Sequence, residues 1–182
     1  KAWQEAQNLH VQVAVNFSAT QFQFQNLPAL IKKALEDTDV SPTMLKVEIT
    51  ESTLMTDLDL TAKTLNELSR IGIEIAIDDF GTGYSSMGYL KRFPINTLKI
   101  DQSFVRDMID DSDDSAIITA IIAMSHSLKL KVIAEGVETE EQLALLKSQG
   151  CDEMQGYLIS PAVPSEAFTE LLRESQCLPT EA

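Results

Sequence analysis

The spacing of apolar and polar residues along the chain changes period repeatedly, and each change marks a short strand or an amphipathic helix. Val11, Val13 and Val15 alternate with other residues before Asn16, the period-two pattern of a strand. Leu27, Leu30, Ile31, Ala34 and Leu35 then recur at helical spacing, and Pro42 marks the turn into a strand at 45–50. Asp57 or Asp59 is the expected cap of the next helix, with Leu60, Thr64, Leu65 and Leu68 towards a sheet and Gly72 as its left-handed terminator. A strand follows at 73–78, then a short helix at 87–92, and Pro94 separates that helix from a strand at 97–100. Asp114 or Ser115 is the expected cap of the strongest helix, whose buried stripe is Ile117, Ile118, Ile121, Ile122, Ser125 and Leu128. Thr139 and Gln142 match a capping box for a helix ending at Gly150. Pro161 and Pro164 precede a last amphipathic helix at 165–174, and the tail after Gln176 reads as frayed.

This alternation predicts βα units with right-handed crossovers, hence an α/β barrel or a doubly wound sheet. Six strands are legible, and a closed eight-stranded barrel needs about two more. The chain opens on an apparent helix at 2–9 with no strand before it. Residues 1–182 are therefore expected to be the later part of a larger domain.

Composition narrows the class. A chain of 182 residues with 44% apolar content is most simply one domain. Its longest nearly apolar run, 116–124, is far short of the ~20 residues that span a bilayer, and residues 1–12 do not resemble a leader. Cys151 and Cys177 show no CxxC spacing, so neither a disulfide framework nor a zinc site is indicated, and a reduced, cytoplasmic setting is expected. A net charge of −14 without a Lys/Arg cluster argues against direct binding of a nucleic-acid polymer. A smaller polyanion needs cations to neutralise the local acids. The acids of 107–114 read as a solvated face.

Other acids gather where strands end: VAVNFS (13–18), LKVEITES (45–52), IEIAIDDFGTGYSS (73–86), TLKID (97–101), KVIAEGVE (131–138) and EMQGYL (153–158). Acids at the carboxyl ends of successive parallel strands predict one shared site, suited to oxygen-ligated divalent metals and phosphate chemistry. Asn16 either belongs to that site or simply ends its strand. Glu48 shares a strand face with Lys46 and Thr50, opposite Leu45, Val47 and Ile49, so it points inward as a metal ligand or as an ion-pair partner of Lys46. Glu51 lies just past the strand end, where a surface acid is the simple reading. Asp78 and Asp79 are adjacent and reach one site only if the strand breaks, which Gly81 and Gly83 permit. Two such carboxylates favour a divalent cation or a shared proton. Lys99 and Asp101 flank Ile100 and point together into the barrel mouth, as chemistry or as a structural pair. Glu135 and Glu138 follow an apolar strand, and Gln155 offers a neutral amide at the last one. His10 and His126 carry no assigned chemistry, and Phe104, Met124 and Phe168 read as packing.

In order and across essentially the whole chain, VNFS, EITES, DDFGTGYSS, LKID, AEGVE and QGY resemble the EAL-domain phosphodiesterases that hydrolyse cyclic di-GMP. The resemblance implies a modified (β/α)8 barrel, a magnesium- or manganese-dependent reaction at a two-metal site, and linear pGpG as product. It implies Asn16, Glu48 and Asp78 as metal ligands, with Asp79 on the second ion. It casts Glu51 as the glutamate that steadies the DDFGTGYSS loop and couples it to metal and dimer contacts, hence a homodimer. Lys99 resembles the lysine beside the attacking water, and Asp101 its neighbour. Glu135 resembles an acid assigned to water activation or ligation, Glu138 a second acid at the ligand pocket, and Gln155 an amide that positions water or phosphate. The family's name-giving glutamate, with its substrate-binding leucine and arginine, has no counterpart in these residues. Attached sensory or diguanylate-cyclase domains, and the cytoplasmic part of a membrane-anchored protein, fit the same family. The alternative class is a non-catalytic module that binds the nucleotide or a protein partner.

Overall fold

The computed structural model describes residues 11–22, 26–83 and 87–175. Six strands, β1 (Val13–Phe17), β2 (Leu45–Thr50), β3 (Glu74–Phe80), β4 (Thr97–Ile100), β5 (Lys131–Glu135) and β6 (Glu153–Gln155), pair in chain order, and every pairing is parallel. Parallel neighbours need crossovers, and helices supply them. These are α1 (Ala19–Phe22), α2 (Leu27–Thr38), α3 (Glu51–Leu54), α4 (Leu58–Ile71), α5 (Met87–Leu90), α6 (Gln102–Asp107), α7 (Ser112–Ser127), α8 (Glu140–Ser148) and α9 (Ser165–Ser175). No helix among the described residues is long and apolar enough to cross a membrane.

Strand side chains alternate between two faces, and the faces differ in chemistry. One carries Val47, Ile49, Ile75, Ile77, Leu98, Ile100, Val132 and Ala134, which join Leu65 and Leu68 of α4, Ile118 and Ile122 of α7 and Leu146 of α8 in one hydrophobic cluster. Each of the valine, leucine and isoleucine side chains contributes about 1.5–3 kcal/mol on burial. The other face carries buried Lys46, Glu48, Thr97 and Lys99, with Ala76 and Ile133 among them. The core therefore lies between sheet and helices, leaving the opposite face free for polar side chains.

Local signals fix the helix ends. Asp57 caps α4 by accepting from Leu60 N at 3.0 Å, and Gly72, at φ 97°, ends it in the left-handed region. The capping box of α8 is present, and Gln142 reaches beyond it. Its Oε1 accepts from Thr139 N at 3.1 Å and Glu138 N at 2.8 Å, while its Nε2 donates to Val105 O at 3.0 Å. One buried amide thus ties the loop after β5 to α6.

Several boundaries differ from the sequence expectation. Asp111 caps α7 through Asp113 N, not Asp114 or Ser115, because four aspartates and two serines in succession offer nearly equivalent caps. Ile117, expected in the buried stripe, is 39% exposed, and Leu30 of α2 is 59% exposed. On α4, Thr61 is buried and Leu60 only partly so. Strand β3 runs on to Phe80, past the expected end at Asp78, whereas β5 ends at Glu135 as expected. The expected helix at 2–9, His10, residues 84–86 of the DDFGTGYSS segment, Cys177 and the tail lie outside the described residues.

Candidate active site

The polar face converges on Lys99 at the end of β4. Its Nζ lies 3.0 Å from Glu48 Oε2, 2.9 Å from Asp78 Oδ1 and 2.7 Å from Glu135 Oε1. Four strands, β2 to β5, each contribute one member of this group. Glu48 therefore pairs with Lys99, and Lys46 turns to Glu74 at 3.6 Å, so the Lys46–Glu48 pair does not form. The contact to Asp78 is an ion pair without hydrogen-bond alignment, and Asp78 Oδ1 has no hydrogen-bond partner of its own among the described residues.

The strand break required by Asp78 and Asp79 falls on Asp79 itself. Its φ is 54°, and the pairing of β3 with β4 slips between Ile77 and Phe80. A non-glycine residue in that region costs roughly 1–2 kcal/mol, and the slip is a bulge that re-aims a side chain. As a result Asp78, Asp79 and Glu135 each place one carboxylate oxygen within 4.8 Å of the others. Gly81 continues the turn at φ 102°.

Glu51 is buried, not a surface acid. At the start of α3, its Oε2 accepts from Gly81 N at 3.0 Å, and a Cβ on Gly83 would lie 2.6 Å from its Oε1. The 81–83 turn is thus built over one buried carboxylate, and glycine at 83 is what lets it approach. Phe104 of α6 closes the other side, 2.7 Å from where a Cβ on Gly81 would sit.

A cleft of about 360 Å³ opens above the cluster, lined by Asp78, Asp79, Asp101, Glu135, Glu138 and Gln155 together with Gln102 and Tyr157. Asp101 also caps α6, accepting from Ser103 N at 2.8 Å. Asn16 is in register with Glu48 on the neighbouring strand, but it is exposed and does not line the cleft. Sequence reasoning missed Gln102 and Tyr157. The first directly follows a strand-end acid, and the second belongs to the QGY segment.

The electrostatics follow from the geometry. Burial pushes the Glu135 carboxyl up, Lys99 opposes this, Asp78 adds to it, and the result is a pKa of about 7. Burial also raises Asp79, with Asp78 and Asp101 adding repulsion. For Lys99 burial works downward, but its three carboxylate partners outweigh it and hold the ammonium well above the usual lysine range. One ammonium facing three carboxylates leaves excess negative charge in a largely desolvated place. An oxygen-rich group of this kind suits a hard divalent cation.

A parallel α/β sheet with acids assembled at its strand ends is the layout of a barrel-type α/β domain with one polar site at one end. The chain belongs to the EAL domain family, whose model matches residues 1–162. It is 45% identical over 166 residues to the bifunctional diguanylate cyclase/cyclic di-GMP phosphodiesterase MucR of Pseudomonas aeruginosa, covering 91% of this chain and 24% of that protein. Among solved structures, the PaMucR phosphodiesterase in complex with c-di-GMP superposes with a TM-score of 0.88 at 44% identity, over 91% of this chain and 67% of that one. The manganese and c-di-GMP complex of Klebsiella pneumoniae BlrP1 gives 0.77 at 32% identity, over 82% and 38%. The six strands and their helices form part of the modified (β/α)8 barrel of that family. The chain spans about a fifth to a quarter of the length of the curated relatives it matches.

Proposed function

We propose that this chain carries the catalytic centre of a phosphodiesterase that hydrolyses cyclic di-GMP to linear pGpG with magnesium or manganese. The observation that carries the reading is the set of three carboxylates around Lys99, with Asp79 beside them. Asp78, Asp79 and Glu48 would hold the ions, joined by Asn16 from the neighbouring strand. Bound divalent ions polarise a phosphodiester and make an attacking water acidic.

The chain's own residues do the rest. Lys99 keeps Glu48, Asp78 and Glu135 together at one point and balances part of the negative charge that accumulates as water adds to phosphorus. Glu135, beside Asp78 and Asp79 at the base of the cleft, is placed to accept the proton of that water. The new P–O bond forms as one P–O3′ bond breaks, which opens the ring and leaves a 5′-phosphate. Asp101, the cap of α6, crowds Asp79 with a second negative charge that a bound cation would relieve. Glu138 and Gln155 face the same cleft as ligand contacts. Glu51 fixes the 81–83 turn on which the two aspartates depend.

The short share of each relative covered supports attached domains, a diguanylate cyclase or a sensor among them. A homodimer, and a cytoplasmic setting either free or below a membrane anchor, belong to the same reading. The test is product analysis of cyclic di-GMP incubated with the protein, before and after chelation. Formation of pGpG that stops on chelation and resumes with magnesium or manganese supports the proposal. Tight nucleotide binding without cleavage in either metal favours the non-catalytic module.

A further inference from the structure

Gln102 has no part in the chemistry above, yet it lines the same cleft. It opens α6 immediately after Asp101 and lies over Gly136, where an added Cβ would come within 2.6 Å of its own Cβ. Gly136 sits at φ 72°, so the loop leaving β5 passes beneath Gln102 only because residue 136 has no side chain. Asp101 turns its carboxylate back to Ser103. Gln102 is exposed, and its amide makes no hydrogen bond to any described residue. Two residues past Gly136, Glu138 is also exposed, with a carboxylate free of described partners and a backbone N–H anchored by Gln142 at 2.8 Å. The rim of the cleft thus presents an amide and a carboxylate, both unengaged, around a bare glycine. Gln155, the other amide, is in register with Glu135 and so stands at the acid cluster instead.

We propose that Gln102 is a base-binding residue of the cleft: its Nε2 donates to O6 of a guanine while Glu138 accepts from the N1–H and N2–H groups beside it. The proposal rests on the cyclic di-GMP reading. An amide supplies the N–H donors that a carboxylate lacks, and the acids of the cleft cannot replace it. Adenine would set an unprotonated N1 acceptor against the Glu138 carboxylate, so that acid disfavours adenine, while the Gln102 amide, which can turn either end to position 6, adds affinity for the base.

The experiment compares the full-length protein with Gln102→Leu and Gln102→Glu on cyclic di-GMP and on bis(p-nitrophenyl) phosphate, a diester without a guanine. Loss of one hydrogen bond raises KM for cyclic di-GMP about fivefold to tenfold in Gln102→Leu, with the change in KM exceeding that in kcat. Gln102→Glu sets an acceptor against O6 and raises KM further. In both variants the loss on cyclic di-GMP exceeds the loss on the small diester. Equal losses on both substrates overturn the proposal, because they mark a phosphate contact or a folding defect. Unchanged KM for cyclic di-GMP in both variants also overturns it. If the unaltered protein cleaves the small diester but not cyclic di-GMP, the functional reading itself fails and Gln102 falls with it.

Discussion

Replacing Lys99 by Met keeps most of the side-chain volume and removes its charge. The Lys99 side chain is 4% exposed, and its three acidic partners lie 2.7 to 3.0 Å away. At an effective dielectric of about 20, each contact is worth roughly 5–6 kcal/mol in gross Coulomb energy. Burial of the ammonium offsets much of that, and truncating one partner of a buried ionic group typically costs about 3–5 kcal/mol. The cost arises because the surviving acids then face one another without a counter-charge. The metal-free variant is therefore expected to be about 3–5 kcal/mol less stable, a large fraction of the roughly 5–15 kcal/mol that holds a domain folded. Urea unfolding at pH 7.5 reads this as a lower midpoint at unchanged slope. On the proposed reading magnesium or manganese would bind the uncompensated acids in the folded state only, so added metal should restore more stability to the variant than to the parent. A loss below about 1 kcal/mol, or a variant indifferent to divalent ions, would refute the view that Lys99 balances a metal-ready cluster.

Three further outcomes are expected. Asp78→Asn should lower turnover of cyclic di-GMP by more than about a hundredfold with an unaltered circular dichroism spectrum; parent-level turnover removes Asp78 from the site. Glu51→Ala removes the acceptor for Gly81 N, so amide hydrogen exchange at 81–83 should accelerate as activity falls, and unchanged exchange beside lost activity counts against a loop-holding role. Glu135 has a folded pKa of about 7 against an ordinary 4.5, so its stability contribution is full below that ordinary value and is lost as pH rises through 7. Unfolding free energy of the metal-free protein should drop by up to roughly 3 kcal/mol over that window, and Glu135→Gln should flatten the slope; an identical slope in the variant rules Glu135 out as its source.

Strand alternation was enough to turn Glu48 inward, since Val47 and Ile49 leave it no other face. The requirement for a break at Asp78 and Asp79 was legible for the same reason. Its location was not, because the left-handed residue is Asp79 itself rather than a glycine that announces one. The partner of Glu48 was also hidden: Lys99 lies 51 residues away, and only the parallel register brings it in place of Lys46. By position alone Glu51 read as a surface acid, and only the family resemblance cast it as a loop-holding group, because its burial depends on a turn 30 residues downstream folding over it. Gln102 carried no signal of its own. A glutamine after a strand-end acid is unremarkable until Gly136 is seen passing beneath it.

Anomalous diffraction from crystals of the protein equilibrated with manganese tests the metal centre most directly. A peak is expected about 2.0–2.2 Å from carboxylate oxygens of Asp78 and Asp79, the range of hard-cation oxygen ligation, and it should vanish in Asp78→Asn. Crystals saturated with manganese that show no peak at these residues, with Glu48, Asp78 and Glu135 still paired to Lys99 alone, contradict it. The cluster would then be a structural ion-pair network, without a metal-assisted reaction to serve.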